Sequence, residues 1–468
     1  MAKTTNTIAV RALAPALCLL ALLLFSACAS TTRPDREVPF TGDHLAYHEA
    51  NIKAASPRNK TLWQYRAAAT AIRRDKSDLA KTYLDAALAS ASAAYGQPNK
   101  DAAKSRGLFK SEASKPFVGE PYERVMANFY RALLYWADGE PDNARALLRT
   151  AALLDSDTVD KTYAADYILL DYLDGLITAK LAANNPAAGT AALARARASA
   201  AAQHAPAPPD YDLAANVHLF VEYGRAPQKY ATGEAGERLQ FEILGTPVKH
   251  VRLRVDSRTF TVPAYDDLGY QAVTRGAREM DYILGNKVVF KKTADNVAHA
   301  AIAIPALLAK VGQLIELDNS PSHSSSPPPP TFYPPGGMPS NSNGSSHSKS
   351  NHSNHDNDSN NHALAAVLIP VAIAVAALMT IYAGAKTISH ATKTQADTRA
   401  WDNLPRYLCY LPFKLPPGAH TAALDFLDED MKPIYLQKQT FTITVPPPST
   451  TFAPAPKDII IFRSQLHD

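Results

Sequence analysis

A long polar segment that cannot form a hydrophobic core interrupts the second half of this chain. Residues 318–362 consist almost entirely of Ser, Asn, His, Pro and Gly. This composition buries too little apolar surface to offset the entropy of ordering the backbone, so it predicts a disordered insert. We interpret its five histidines as solvated, because no helical spacing or cysteine fixes a ligand geometry: His323, His347, His352, His355 and His362. The insert therefore divides the second half of the chain into two parts.

Short strand-forming stretches flank this insert. Before it, apolar runs or alternating patterns occur at 217–221, 239–244, 251–255 and 260–262. After it, similar patterns occur at 407–411, 421–426, 434–436, 441–445 and 459–462. Neither group has enough strands for a closed sandwich, but together they do. We therefore expect one sandwich-like β domain, built from residues 205–290 and 387–468.

Two apolar segments separate the insert from these strands. Both 297–315 and 363–385 are Ala-rich and contain a proline, and the second is uncharged over 23 residues. That length can cross a hydrocarbon core of about 30 Å, and Lys386 and Lys393 would then face the cytoplasm. Alternatively the two segments, as helices within 291–317 and 363–386, form an apolar hairpin and leave the strands together. The strand count favours the hairpin, and the candidate transmembrane helix remains the alternative.

The N-terminus has the features of an export signal. Residues 1–27 combine a basic start, an apolar stretch and small residues. The run Phe25-Ser26-Ala27-Cys28 resembles the lipobox of bacterial lipoproteins, with Phe25 where that family usually has Leu. The resemblance implies acylation of Cys28, a tether over 28–50 and, because Ala29 is not Asp, an outer-membrane anchor facing the periplasm; the inner membrane is the alternative location. An ordinary signal peptide with an incidental cysteine is the other interpretation.

Cysteine content and charge exclude several classes of protein. Of three cysteines, Cys18 leaves with the signal and Cys28 is acylated, so Cys409 has no partner and is expected to be a core thiol. A formal net charge of +4 gives no electrostatic signature of nucleic-acid binding. The expected partners are a membrane, through the anchor, and envelope proteins; a small-molecule ligand stays undetermined.

Residues 51–204 contain two similar helical stretches that are rich in Ala and Leu. In each, a turn residue is followed by small and large apolar residues at the same spacing: Asp75, Ala80, Leu84 and Ala87, then Gly139, Ala144, Leu148 and Ala151. This spacing resembles the second helix of a tetratricopeptide repeat, and Tyr135 occupies an aromatic position of the preceding helix. The two units are 64 residues apart instead of about 34. A plain helical bundle is therefore the alternative to degenerate tetratricopeptide-like hairpins.

Repeats of this kind build a concave surface that holds a protein partner. Six tyrosines could line such a surface, although aromatic residues at helical spacing more often form interhelical core, which we favour for most of them: Tyr122, Tyr130, Tyr135, Tyr163, Tyr167 and Tyr172. We expect a third helical pair over 163–201 and an inserted loop around 98–121.

Two short motifs are candidate binding edges. One contains Glu222 and Arg225 just after a strand, and the other contains Asp397, Arg399 and Trp401 just before the second β segment. Each is interpreted first as a structural corner, where Arg bonds carbonyl groups and Trp covers the core. The chain has no HExxH, GxSxG, Walker or CxxC motif. We therefore expect no enzymatic activity, cofactor or metal; an unrecognised hydrolase is the weakest alternative.

The order of these parts resembles a poorly characterised family of bacterial envelope lipoproteins with an N-terminal tetratricopeptide-like helical region. The residues that carry the resemblance are the stretch from Gly119 to Met126, Gly224 with Ala226-Pro227, and the stretch from Ala396 to Trp401 with Leu404-Pro405. The predicted fold class is α+β: helical hairpins over 51–204, then the interrupted β domain. The expected function is a non-enzymatic protein-interaction scaffold or adaptor, and the alternative is an inner-membrane accessory protein for transport or signalling.

Overall fold

A computed structural model describes the parts of the chain that form the helical and β regions. The described residues are 35–95, 115–156, 163–234, 236–274, 396–434, 437–447 and 457–466. The chain divides into two compact units, and every described residue belongs to the unit made of 1–287 and 393–468. Cys28, the polar insert and the two apolar segments lie outside the described residues. The predictions made for them are therefore not addressed by the fold.

Helices occupy the first half of the described chain. They are α1 (His44–Ala54), α2 (Pro57–Arg73), α3 (Ser77–Tyr95), α4 (Pro121–Asp138), α5 (Pro141–Asp155), α6 (Ile168–Leu181) and α7 (Thr190–Ala202), with a 3₁₀ turn at Pro186–Gly189. Proline starts α2, α4 and α5, where its missing N–H leaves no hydrogen bond unmade. Consecutive helices pack in the pairs α2–α3, α4–α5 and α6–α7.

The turns after α2 and α4 have the same geometry. Asp75 and Gly139 both have positive φ values, 54° and 80°. In each turn the next residue donates its backbone N–H five residues back, from Lys76 to Ala71 and from Glu140 to Tyr135. This is the Schellman type of helix end, which satisfies carbonyl groups that the helix leaves open. The two stretches aligned by sequence therefore start from equivalent turns.

Ten strands and one short helix, α8 (Leu268–Val273), form the rest of the described chain. The central sheet has the order β10 (Ile459–Ser464), β1 (Val217–Arg225), β7 (Pro405–Phe413), β6 (Ala264–Asp267); β10 is parallel to β1 and the other pairs are antiparallel. The outer sheet has the antiparallel order β5 (Arg258–Val262), β4 (His250–Val255), β8 (Gly418–Leu427), β9 (Gln439–Val445). A separate hairpin joins β2 (Gln228–Thr232) to β3 (Arg238–Glu242).

Strands from both sides of the insert pair with one another, as the strand count predicts. Strand β7 lies between β1 and β6, and β8 pairs with β4. Of the predicted strand at 434–436 the structure describes only Ile434, which lies outside the ten strands and donates its backbone N–H to the carbonyl oxygen of Phe426. The alternating and apolar patterns in the sequence did not indicate strands β2 and β6, which are short and polar.

The central sheet has a different core on each face. Along β1, Val217, Leu219 and Val221 face the outer sheet and share a cluster with Leu253 and Phe426. The alternate residues face the helices, because successive side chains of a strand point to opposite faces. On that side Phe220 and Tyr410 join the large helical cluster. The described molecule is thus α+β, with helices, central sheet and outer sheet in three layers.

Helices α2, α4 and α6 lie against the central sheet, and their side chains are buried around most of the helix. Helices α3, α5 and α7 are buried along a single stripe, which for the first two is the predicted set Ala80, Leu84, Ala87 and Ala144, Leu148, Ala151. Of the six tyrosines, Tyr122, Tyr130, Tyr167 and Tyr172 are buried, whereas Tyr135 and Tyr163 are half-buried. The inner face of the helical layer therefore packs on the protein's own sheet.

Among the described residues, no helix combines the length and the apolarity needed to cross a bilayer.

Candidate functional site between two sheet edges

Strands β9 and β10 are the edges of two different sheets, and a groove lies between them. Each pairs with only one neighbour among the described strands, β9 with β8 and β10 with β1. The side chain of Gln439 on β9 donates to the carbonyl oxygen of Ser464 on β10, so the two edges meet at this point. The groove has a volume of about 400 Å³ and is lined by Arg73, Asp75, Gln439, Thr440, Phe441, Arg463, Ser464 and Leu466.

The wall of the groove combines a cation with an aromatic ring. The guanidinium carbon of Arg463 lies 4.5 Å from the centre of the Phe441 ring. The same guanidinium pairs with Asp75 at 3.1 Å, and the Asp75 side chain is 72% exposed. Stacking of this kind fixes the planar guanidinium while leaving part of its donors toward solvent. Arg463 is thus held in position with an exposed carboxylate as its counter-charge.

A buried ion pair lies behind the groove. Arg73 Nε is 2.6 Å from Glu222 Oε1, and the hydroxyl of Tyr130 donates to Glu222 Oε2 at 2.6 Å. Arg73 also donates through Nη2 to the carbonyl oxygen of Asn403 at 2.6 Å. Since each partner comes from a different element, this network joins α2, α4 and β1. It supports the groove but leaves little of the Arg73 charge for a ligand.

A second buried network fixes the start of β10. Lys180 Nζ donates to Asp458 Oδ1 at 2.6 Å and approaches His218 Nε2 at 3.2 Å. The other ring nitrogen of His218 is 2.7 Å from the Tyr410 hydroxyl, and Trp136 Nε1 donates to Asp458 Oδ2 at 3.0 Å. Every polar atom named here has a partner, and the His218 side chain has no exposed surface.

The electrostatics of this network assign its charges. Burial lowers the pKa of His218, so the ring is neutral near pH 7. Burial alone would raise the pKa of Asp458, but the contacts with His218 and the Lys180 ammonium outweigh burial and lower that pKa. Because the imidazole is neutral, Lys180 supplies the positive charge beside Asp458. A fully buried, fully bonded histidine has no route to a substrate, so the network is structural.

A third network lies at the other end of α4. Glu123 Oε1 accepts the backbone N–H of Trp401 at 2.7 Å, and its Oε2 accepts from Lys229 Nζ at 2.6 Å. The Trp401 ring stacks on Tyr65 at 4.5 Å with an interplanar angle of 9°. Lys229 also donates to the carbonyl oxygen of Arg399. These contacts attach the β2–β3 hairpin and residues 396–401 to the helical layer.

The predicted edge residues lie mostly inside the molecule. Glu222 and Trp401 are fully buried, and Asp397 pairs with Arg399 at 2.6 Å. Arg399 also donates to the carbonyl oxygens of two other residues, Arg58 and Lys115. Arg225 is exposed at the end of β1. Four of the five residues thus make contacts within the molecule, as the structural-corner interpretation expects. Arg225 is the exception, because it is exposed.

The remaining candidate residues from the sequence, Cys409 and possible metal ligands, do not form a further site among the described residues. Burial raises the pKa of the Cys409 thiol, which keeps it protonated and unreactive. Among the described residues, no cluster of three or more His, Cys, Asp or Glu side chains is arranged to hold a metal ion. The sequence did not indicate the groove, because its lining comes from three distant stretches of chain. The patterns at 441–445 and 459–462 predicted two of the strands that form it, but not that they lie at sheet edges.

Comparison with known proteins gives no relative. No family model, curated protein or solved structure matches this chain.

Proposed function

We propose that the protein is a lipid-anchored, non-enzymatic envelope protein that faces the periplasm from the outer membrane and acts as an adaptor for other envelope proteins. The anchor rests on the run Phe25-Ser26-Ala27-Cys28 after an apolar segment. The absence of catalytic motifs and the burial of His218 support a role in binding. The helical hairpins are tetratricopeptide-like in this proposal, supported by their equivalent turns and buried small residues.

The partner-binding site in this proposal is the groove between β9 and β10. The observation that carries it is the meeting of two sheet edges beside the stacked pair Arg463 and Phe441. The inner face of the helices, where a repeat protein usually holds its partner, is covered by the central sheet. The groove is a described surface that remains open to an extended segment of another protein.

Backbone direction supports binding by strand addition. The N–H groups of Ile459 and Gln465 donate to Asn216 and Glu222 on the β1 side. Because N–H groups alternate in direction along a strand, those of Phe462 and Ser464 point away from β1. An extended peptide can use such groups for backbone pairing while side-chain contacts select its sequence. Arg463 favours a peptide with an acidic residue at this position.

Site-specific photocrosslinking tests the groove. A photoreactive phenylalanine at Thr440, which lines the groove, should capture a partner, and Arg463→Ala should abolish the product. The matched control is Thr259, an exposed threonine on β5 at the opposite edge of the outer sheet. Capture from Leu153 on α5, which is 74% exposed, with none from Thr440 would move the binding site to the helical layer.

Metabolic labelling tests the anchor. The wild-type chain should incorporate labelled palmitate and fractionate with outer membranes, whereas Cys28→Ala should lose the label and become soluble in the periplasm. Label retained by Cys28→Ala, or none in the wild type, would remove the anchor from the proposal.

Strand pairing favours this proposal over an inner-membrane accessory protein for transport or signalling. Strands β1 and β7 come from opposite sides of 363–385 and pair along their full length. A single crossing by 363–385 would place them in different compartments, so pairing requires zero or an even number of crossings. A reporter fused after Asp468 should therefore give a periplasmic signal, and a cytoplasmic signal would support the alternative.

A further inference from the structure

Asp35, in the first part of the predicted tether, is fixed to the turn between α1 and α2. Its Oδ2 accepts hydrogen bonds from Ser56 Oγ at 2.8 Å, from Ser56 N at 3.1 Å and from Asn59 Nδ2 at 2.9 Å. Asp35 lies seven positions after Cys28, and each residue spans at most about 3.6 Å. If Cys28 is acylated, this turn therefore lies within about 25 Å of the membrane surface.

The chain returns from the polar insert at the same place. Arg399 Nη1 donates to Asn59 Oδ1 at 2.8 Å, so Arg399 and Asp35 bond to the same side chain. Only ten residues separate the uncharged segment 363–385 from Ala396, and Lys386 and Lys393 are among them. The described chain thus resumes after the insert beside the turn that binds Asp35.

Several cations lie around this turn. Arg58 and Lys60 lie in the first turn of α2, which has no acidic residue, and Lys53 lies in the last turn of α1. A cation at a helix N-terminus opposes the helix dipole, typically by about 0.3–1 kcal/mol. The Asp35 carboxylate lies at this helix start, where it accepts the backbone N–H of Ser56 and attracts Arg58, whereas Lys60 forms no ion pair among the described residues. Asp35 therefore offsets one of the two cations, and the other is open to an external anion.

The carboxylates near this turn form hydrogen bonds within the protein. Asp35 accepts from Ser56 and Asn59, Glu37 accepts from the Tyr47 hydroxyl at 3.1 Å, and Asp397 pairs with Arg399. Lys53 and Lys60 are exposed, Arg58 is half-buried and Arg36 is exposed beside Asp35. We call these four cations, Arg36, Lys53, Arg58 and Lys60, the tether face.

We propose that the tether face lies against the anionic phospholipid headgroups of the membrane that anchors Cys28. This inference rests on the proposed lipid anchor, because a tether this short keeps the cations close enough to come into contact with the surface. Attraction to an anionic leaflet contributes roughly 1 kcal/mol for each Lys or Arg within a Debye length. Anchor and cations then act as two linked signals that fix the orientation of the body on the membrane.

Vesicle binding of the non-acylated chain tests this surface separately from the anchor. The mature chain with Cys28→Ser should cosediment with phosphatidylcholine vesicles that contain 30 mol% phosphatidylglycerol, and 300 mM NaCl should release it. The triple variant Lys53→Gln, Arg58→Gln, Lys60→Gln should bind these vesicles on the order of 100-fold more weakly. Phosphatidylcholine alone should bind neither protein.

The matched control removes three lysines from the outer-sheet side of the molecule, Lys249→Gln, Lys432→Gln and Lys438→Gln, and should bind like the parent. Equal losses in the two triple variants, or binding that ignores phosphatidylglycerol, would overturn the tether face. Circular dichroism melting of both variants separates these results from misfolding. The vesicle assay uses a chain without an acyl group, so it is independent of the anchor. Vesicle binding without palmitate labelling in cells would contradict only the anchor. Normal labelling without vesicle binding would contradict only the tether face.

Discussion

Glu222 on β1 and Arg73 at the end of α2 form an ion pair of 2.6 Å in which the side chains are 0% and 4% exposed. Both charged groups are buried, and the loss of their hydration lowers stability unless their remaining donors and acceptors form hydrogen bonds. Tyr130 and the carbonyl group of Asn403 supply those bonds. The pair thus fixes the helical layer on the central sheet at one position, and it also forms the back of the groove.

Glu222→Ala should therefore destabilise the whole described body. The substitution leaves the Arg73 guanidinium buried without its counter-charge, which lowers the free energy of unfolding by about 3–5 kcal/mol. Urea denaturation followed by circular dichroism measures the change. The control is Asp430→Ala, which removes an ion pair with Lys432 whose side chains are more than 70% exposed and should change stability by less than about 1 kcal/mol. Similar losses in both variants would contradict the assigned role of Glu222.

Trp401→Ala should be comparably destabilising. Its ring is fully buried and stacks on Tyr65 between the helices and the β region. Truncating a buried aromatic residue leaves a cavity and lowers the free energy of unfolding by about 3–5 kcal/mol. Trp401→Phe keeps a ring in the site and should lose less, by the same urea denaturation. A neutral Trp401→Ala would show that residues 396–401 do not pack on the helices as described.

Local patterns were enough to predict most of the elements. Alternation or apolar runs located β1, β4, β8 and β9, and the spacing of Ala80, Leu84 and Ala87 located the buried stripe of α3. These signals work because a strand repeats every two residues and a helix every 3.6. Strand β6 was missed because its Asp266 and Asp267 are polar; Asp266 is nevertheless buried, where it accepts the N–H groups of Ile168 and Leu169 at the start of α6.

The groove and its supporting networks could not be predicted in this way. Arg73 and Glu222 are separated by 149 residues, and Trp136 and Asp458 by 322. No periodicity relates residues so distant, and their pairing depends on how the helical layer sits on the central sheet. Sequence placed Glu222 and Trp401 at corners, yet it gave no sign that the bonding partners are Tyr130 and Glu123. A single sequence therefore identifies the elements better than it identifies their junctions.

Gly175→Ala should separate α6 from α7. A Cβ atom at this position would lie 1.9 Å from the Tyr211 hydroxyl and 2.9 Å from Ala192 Cβ. Overpacking of this kind lowers the free energy of unfolding by about 1–3 kcal/mol. Tyr211→Phe removes the nearest atom, so the double variant should lose less than the sum of the two single variants. Additive losses in a urea double-mutant cycle would contradict the close contact.

The pair His420 and Asp256 should make stability depend on pH. Asp256 Oδ2 lies 2.7 Å from His420 Nδ1, and the Pro416 carbonyl oxygen lies 2.9 Å from Nε2, so both ring nitrogens face acceptors. The hydrogen bond to Asp256, followed by that to Pro416, raises the pKa of His420 above 6.5. The folded state then binds a proton more tightly than the unfolded state. The stabilisation is fully present below pH 6.5 and is lost as pH rises through the raised pKa.

Asp256→Asn should remove much of this dependence. Asp256 has a φ of 51°, and Asn accepts this left-handed conformation readily, so the turn should keep its shape. Urea denaturation at pH 6 and pH 9 should show a larger loss of stability for the wild type than for Asp256→Asn. His250→Gln, which alters an exposed histidine on β4, should keep the wild-type difference. If Asp256→Asn lost as much stability between the two pH values as the wild type, the pH dependence would have to come from groups other than this pair.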